Sequence, residues 1–415
     1  MAETIEKFAP GIAFTTASES PIEWLVHHSH QRPAEGQMTL TEKFFSPDYF
    51  TARDRFRKLV PAVGGLLETL AIDAKGPKGE NLGIDIAWFG APTPRRVLLH
   101  SSGLHGVEGF AGSAIQLQLL NEVPVLPKDV AVILVHILNP YGMSWLRRTN
   151  ENNVDLNRNF LKDDDYTDDL QGMAKETIQT LWRHCELSGL NPQEVIGLYA
   201  KFNSFLNPPS RPSWDLYSLK AARLILQYGM PMLKQAVVGG QYSYPRGLFF
   251  GGKSLQQGPR QYQSFLTRRL ASAEHLVTID VHTGLGPYGD DTLLAEPTET
   301  AKYETLQRWF GSRMAPFDPK RSPAYFIRGG LDAAAPRFIP KTLVHSVTQE
   351  FGTYSGTKVL QALRQENRWH HYGDGRLDHP TKHILKKTFY PQDETWQKRV
   401  LQRGKELLEQ GLSNL

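Results

Sequence analysis

Cysteine is nearly absent. Cys185 is the only one in 415 residues, which excludes an internal disulfide framework and a zinc site built on thiolates. Any metal must therefore be held by His, Asp and Glu. Neither sign of charge dominates, since 47 Lys and Arg oppose 43 Asp and Glu for a formal net charge of +4. The basic residues are scattered, so no nucleic-acid partner is expected. No run approaches the roughly eighteen apolar residues of a membrane span, and the opening MAETIEKFAPGIAF has no basic leader followed by an apolar stretch. A soluble, cytoplasmic protein without a membrane partner is expected. Asn-Xaa-Ser/Thr acceptors are missing, and so is the Gly-Xaa-Ser-Xaa-Gly elbow of one class of serine hydrolase.

What is present describes a globular chain, 40% hydrophobic and 22% charged, long enough for one large domain with insertions or for two domains. Residues 1–43 carry His27, His28 and His30 among Pro, Glu and Gln. They read as a surface extension, with an accessory metal site as the alternative. From Asp48 to Ile72 the residues Phe56, Leu59, Val60, Val63 and Leu67 keep helical spacing, so a helix is expected there. Strands are expected at Leu82 to Phe89, Val97 to His100, Val130 to Leu138, Leu276 to Val281 and Leu343 to Phe351. The β-branched run AVILVHILN is too apolar to face water on either side and reads as a central strand. Between residues 161 and about 270 the pattern changes to amphipathic helices (Met173 to Cys185, Glu194 to Phe205, Leu216 to Leu233) punctuated by proline, a helical insertion beside the sheet. A helix from Glu394 to Gly411 closes the chain, residues 401–415 being its end. The expected class is α/β, with helices on both faces of a sheet.

Three buried strands end in metal-capable residues: His105 with Glu108, His282, and Glu350. His105 and Glu108 lie three residues apart in a glycine-flanked turn at the carboxyl edge of a strand, where open α/β sheets bind ligands. Zinc in hydrolases commonly takes three N/O ligands and keeps a fourth position for water. A third ligand from a distant segment would fix the fold around the ion, and His282 suits that place. Asp280, two residues earlier on the same strand, shares its face and can support a ligand imidazole. Taken alone, His105 also fits a histidine hydrogen-bonded in a turn, and His100 and His136 fit satisfied core residues.

Read together, these segments resemble the zinc carboxypeptidase superfamily. The motifs are His105-Gly-Val-Glu108, Asn157-Arg158 in DLNRNF, His282 in DVHTG and Glu350 in TQEFGT, in that family's order. More narrowly, SSGLHGVEGFAGSAIQ, NPYGMSWLRRTNENNVDLNRNF, DVHTGLGPYGDD and TQEFGTYSG are similar to a largely bacterial branch of it. The resemblance spans roughly residues 50 to 390 and implies a catalytic domain over 44–400. It also implies a mixed, mostly parallel sheet and one Zn²⁺ per chain, held by His105, Glu108 and His282. In its terms Glu350 activates zinc-bound water, and Arg147, with Arg148 as the competing choice, polarises the scissile carbonyl. Asn157 and Arg158 would then hold a free carboxylate. The implied substrate is a peptide or a small acylated amino acid. A carboxypeptidase is expected first, a deacylase of N-acyl amino acids second, and a catalytically silent ligand-binding protein is the alternative of another class. Tyr325 is the nearest candidate for the family's assisting tyrosine, although its local motif does not match. Arg158 as an ion-pair partner of Asp155 or Asp163, and Glu350 as a strand-end surface residue, are the structural alternatives.

One competing pattern stands in the insertion. Gly247-Leu-Phe-Phe-Gly-Gly252-Lys253-Ser254 fits a phosphate loop, which requires a strand before it and a helix after it. Pro245 precedes it, Gly258-Pro259 follows where a long helix is not expected to start, and two phenylalanines fill the part that would wrap phosphate. A nucleotide site is not expected.

Overall fold

The structure, a computed structural model, describes residues 40–162 and 165–415. The expected extension with His27, His28 and His30 thus lies outside the described residues, as does Asp163. Leu40–Leu415 forms one compact unit. Among the described residues eight strands form one mixed sheet: β1 Leu66–Lys75, β2 Asn81–Gly90, β3 Arg96–Ser102, β4 Val130–His136, β5 His275–Tyr288, β6 Asp291–Ala295, β7 Met314–Pro316 and β8 Leu343–Gly352. Their order is β1-β2-β4-β3-β5-β8-β6-β7. The four central strands β4, β3, β5 and β8 run parallel. Antiparallel pairs join β1 to β2, β2 to β4 and β8 to β6.

The helices that place the sheet and site are α1 Tyr49–Ala62, α2 Gly109–Leu119, α3 Lys175–Leu187, α4 Pro192–Leu206, α5 Tyr217–Tyr228, α6 Gln257–Arg269, α7 Gly356–Tyr372, α8 Pro380–Phe389 and α9 Glu394–Ser413. α2 and α9 pack on each other and on β3 and β5. Small residues permit that approach: a Cβ on Gly112 would stand 2.4 Å from Ser102 Cβ, and one on Gly404 2.5 Å from the Ile115 side chain. On the opposite face, Tyr262 of α6 and Ala335 meet Thr278, Asp280, Ser346 and Thr348. Because side chains alternate along a strand, His282 and Glu350 share this second, polar face with Asp280 and Thr348. The apolar core lies mainly beneath α2 and α9.

Three expectations are corrected. The first helix stops at Ala62, where Gly64 takes φ +81, and Leu66–Lys75 becomes edge strand β1. Only Leu70 and Ile72 of that strand are buried, so its apolar spacing carried too little signal to separate period two from a continued helix. The third insertion helix is broken at Gly229, with φ +76. A thirteen-residue helix, α6, does begin at Gln257, with Gly258 and Pro259 in its first turn, where a missing N–H costs nothing. α6 packs against β1 as part of the sheet's own layers. Lys253 of the phosphate-loop pattern donates instead to the Tyr242 carbonyl, and Asn159 Nδ2 occupies the carbonyls of Gly251 and Ser254 at 2.8 and 2.9 Å.

Candidate metal centre

β3 delivers its chain into a turn that only glycine permits. A Cβ on Gly106 would lie 2.0 Å from the Gly142 carbonyl carbon and 2.2 Å from Met143 N. The turn is tied down by the Gly106 N–H to the Arg148 carbonyl at 3.2 Å and the Val107 N–H to the Arg147 carbonyl at 2.8 Å. β5 and β8 then set His282 and Glu350 side by side, as register partners in a parallel pair.

His105, Glu108 and His282 converge, with ligand atoms all within 4.8 Å of one another. His105 Nδ1 lies 3.0 Å from Glu108 Oε1, and His282 Nδ1 lies 3.2 Å from Glu108 Oε2. The two Nδ1 atoms are 3.1 Å apart. Ligand atoms about 2.0–2.1 Å from a tetrahedral zinc stand roughly 3.3 Å from each other, so the spacing fits. Each far ring nitrogen is held by a carboxylate, His105 Nε2 by Asp155 at 2.9 Å and His282 Nε2 by Asp280 at 2.6 Å. With the far nitrogens turned to the carboxylates, both Nδ1 atoms face Glu108 and each other, where a bound cation would take the place of a shared proton.

Glu108, Asp155, Asp280 and Glu350 are all buried, and the part-buried Arg148 and the buried Arg158 oppose them. Burial alone would raise the Glu108 carboxyl, but His105, His282 and Arg148 outweigh it and hold it below the usual range. His282 is raised, because Asp280 and Glu108 outweigh burial. Glu350 is pushed up to about 7, by burial first and by Glu108, against the opposing pull of His282. Its Oε1 accepts the Leu285 N–H at 2.9 Å.

The remaining expected site residues separate. The structure places Arg147 away from the cluster: its Nε donates to Glu366 at 3.0 Å and its Nη2 to Asn153 Oδ1 at 2.8 Å. Arg148 reaches the cluster instead, through Nη1 to Glu108 at 2.8 Å and Nε to Asp155 at 3.0 Å. Arg158 is buried, with Nη1 donating to the Asn157 carbonyl at 2.9 Å and Nη2 to the Val238 carbonyl at 2.6 Å. Its Nε has no partner, and Asp155 stands 3.9 Å away. Asn157 Oδ1 accepts the Leu331 N–H at 3.0 Å, which leaves its NH₂ group as the free donor. Tyr325 is buried, with the Arg158 guanidinium 5.7 Å from its ring centre. Burial raises its hydroxyl, which also feels Arg158, Arg148 and Glu350. Sequence reasoning named Asp155 only as a partner for Arg158 and missed its contact with His105, although an acid two residues before Asn157 was a signal to be read. His100 and His136 are core residues, both buried.

These features define a buried His, Glu, His cluster that could hold a metal ion, at the carboxyl edge of a mixed α/β sheet. The chain belongs to the family described as a protein of unknown function (DUF2817), whose model matches residues 45–403. Among solved structures it is similar to carboxypeptidase A from Helicoverpa armigera, at 13% identity and TM-score 0.40 over 85% of this chain and 75% of that one. It is also similar to a succinylglutamate desuccinylase from a Silicibacter species, at 14% identity and TM-score 0.34 over 74% of this chain and 67% of that one. An aspartoacylase family protein from Mesorhizobium loti matches at 12% identity and TM-score 0.34, over 75% and 67% of the two chains. No curated protein matches the chain. No helix among the described residues is long and apolar enough to cross a membrane.

Proposed function

We propose that this protein is a zinc-dependent hydrolase that cleaves an amide or peptide bond next to a free carboxylate. The observation that carries the reading is the convergence of two imidazole Nδ1 atoms and one carboxylate, all buried and within 4.8 Å of one another. His105, Glu108 and His282 would hold the ion. When bound, it supplies Lewis acidity, which lowers the pKa of water and polarises a carbonyl.

The chain's own residues supply the rest. Glu350 is buried beside His282 in register, where its carboxylate can take a proton from attacking water and return it to the departing amine. A silent binding protein has no use for such a group. Arg148 offsets charge that develops on the carbonyl oxygen, and its guanidinium edge is fixed by Glu108 and Asp155. Two backbone carbonyls orient Arg158. The remaining N–H bonds of a five-donor guanidinium, with the Asn157 amide, can grip a carboxylate. Substrate thus enters with its carboxylate at Arg158 and its scissile carbonyl towards Arg148. Peptides and N-acyl amino acids share that outline.

The test pairs metal content with substrate form. Purified protein is expected to carry one zinc, His105→Ala to carry none, and the wild type to release C-terminal amino acids from peptides but not from their C-terminal amides. Release of acyl groups from N-acyl amino acids alone would assign the deacylase branch of the same chemistry. Undiminished zinc binding by His105→Ala under chelator competition would refute the cluster as the metal site.

A further inference from the structure

Resting on that hydrolase reading, we infer that Phe249, on the loop that mimics a phosphate-binding pattern, is a positioning residue for Arg148. The Arg148 guanidinium carbon lies 5.6 Å from the Phe249 ring centre. Glu108 and Asp155 fix two edges of that guanidinium but leave it free to slide along its normal. The aromatic face beneath its carbon attracts the cation, most strongly where water is excluded. Phe249 is itself buried, in the same apolar cluster as Val107, which sits between Gly106 and Glu108 in the ligand turn.

The backbone shows what this placement costs. Phe249 takes φ +57, a left-handed conformation that is an outlier for a bulky residue and persists only where the surroundings over-determine it. They do so here. The Phe249 carbonyl accepts the Gln241 N–H at 3.1 Å, and the Phe250 carbonyl accepts the Asp155 N–H at 2.7 Å. Tyr199 Oη donates to the Leu248 carbonyl at 2.6 Å, and the Leu248 N–H to Asn207 Oδ1 at 2.9 Å. One loop therefore holds both the ring against Arg148 and the main chain of Asp155, the carboxylate that Arg148 grips. The other non-glycine residues at positive φ among the described residues are Ile137, Leu146 and Asn153, all on the chain between β4 and Asp155. Backbone strain is gathered around Arg147 and Arg148.

Two substitutions separate ring chemistry from packing. In Phe249→Leu the volume is largely kept and the aromatic face lost, and in Phe249→Tyr the face is kept. Zinc-loaded protein is assayed for kcat and KM. In parallel, the side-chain Nε–H resonance of Arg148, assigned by its loss in Arg148→Lys, is followed in ¹⁵N-labelled protein with and without zinc. The expected result for Phe249→Leu is a kcat lower by about tenfold at unchanged KM, metal content and melting temperature, with a broadened Arg148 resonance. Phe249→Tyr is expected to keep both wild-type signatures. A Leu variant with wild-type kcat and resonance overturns the inference, and so does a Tyr variant that falls as far as Leu. If the Leu variant does not fold, Phe249→Met is read by the same criteria. Wild-type protein inert towards every amide would refute the hydrolase reading, while the Arg148 resonance would still decide the role of Phe249.

Discussion

Glu366→Gln should destabilise the protein without touching the metal ligands. Glu366 lies on α7, buried, and its Oε1 accepts both Arg147 Nε at 3.0 Å and Lys382 Nζ at 2.6 Å. Burial opposes its ionisation, but Arg147 and Lys382 outweigh burial and bring its carboxyl from 4.5 to about 2. A shift of that size corresponds to about 3 kcal/mol. Breaking a buried pair by removing one partner costs about 3–5 kcal/mol by an independent route, so the two figures agree. For a folded unit of this length the melting temperature should fall by about 4 to 6 °C. The sign of the acid dependence follows. Because the folded pKa is depressed, the stabilisation is complete above the unfolded value near 4.5 and is lost as pH falls through about 2. The assay is thermal unfolding followed by circular dichroism at pH 7 and at acid pH, wild type against variant. The difference should shrink towards low pH, where wild-type Glu366 is protonated as well. A variant that melts within about 1 °C of wild type at neutral pH would refute the assignment of Arg147 to this ion triad.

Other consequences are equally direct. Glu350→Gln should keep zinc, by elemental analysis, while turnover falls by at least ~100-fold. Gly240 sits at φ +108, with a Cβ position 2.8 Å from Arg158 Cδ, so Gly240→Ala should displace the guanidinium. KM for carboxylate substrates is then expected to rise roughly tenfold or more, with little change for their amides. His100 and His136 are each lowered from 6.5 to about 4 by burial. Their neutral forms stabilise the fold fully above pH 6.5, and that stability drains as pH falls towards 4. The melting temperature should drop across this window, and His136→Phe should flatten the slope.

Why some of this was legible in the sequence and some was not has a physical basis. Strands buried on both faces by apolar layers are continuously apolar, so AVILVHILN declared its place as a central strand, whereas β5 and β8 were legible from apolar residues alternating with a polar face. The turn between His105 and Glu108 was local chemistry at a strand end, and its residue types marked the pair that the fold brings to His282. Edge strands escaped. β1 buries only Leu70 and Ile72, and β7 is three residues long, too little for a period to be read. α6 escaped because Gly258 and Pro259 look like a break, although a helix's first turn tolerates both.

By itself, then, the sequence determined the central strands and put His105 with Glu108, His282 and Glu350 at or near strand ends, since each placement is encoded in residues that are neighbours along one strand or turn. Only the tertiary structure sends Arg147 to Glu366 and Arg148 to Glu108 and Asp155. Adjacent side chains in the chain point to different partners, and nothing local records that Glu366, over two hundred residues away, claims one of them. The same holds for Asp155 behind His105, for Tyr325 against Arg158, and for the strained Phe249 beside Arg148. These are contacts between segments distant in sequence, set by packing rather than by pattern.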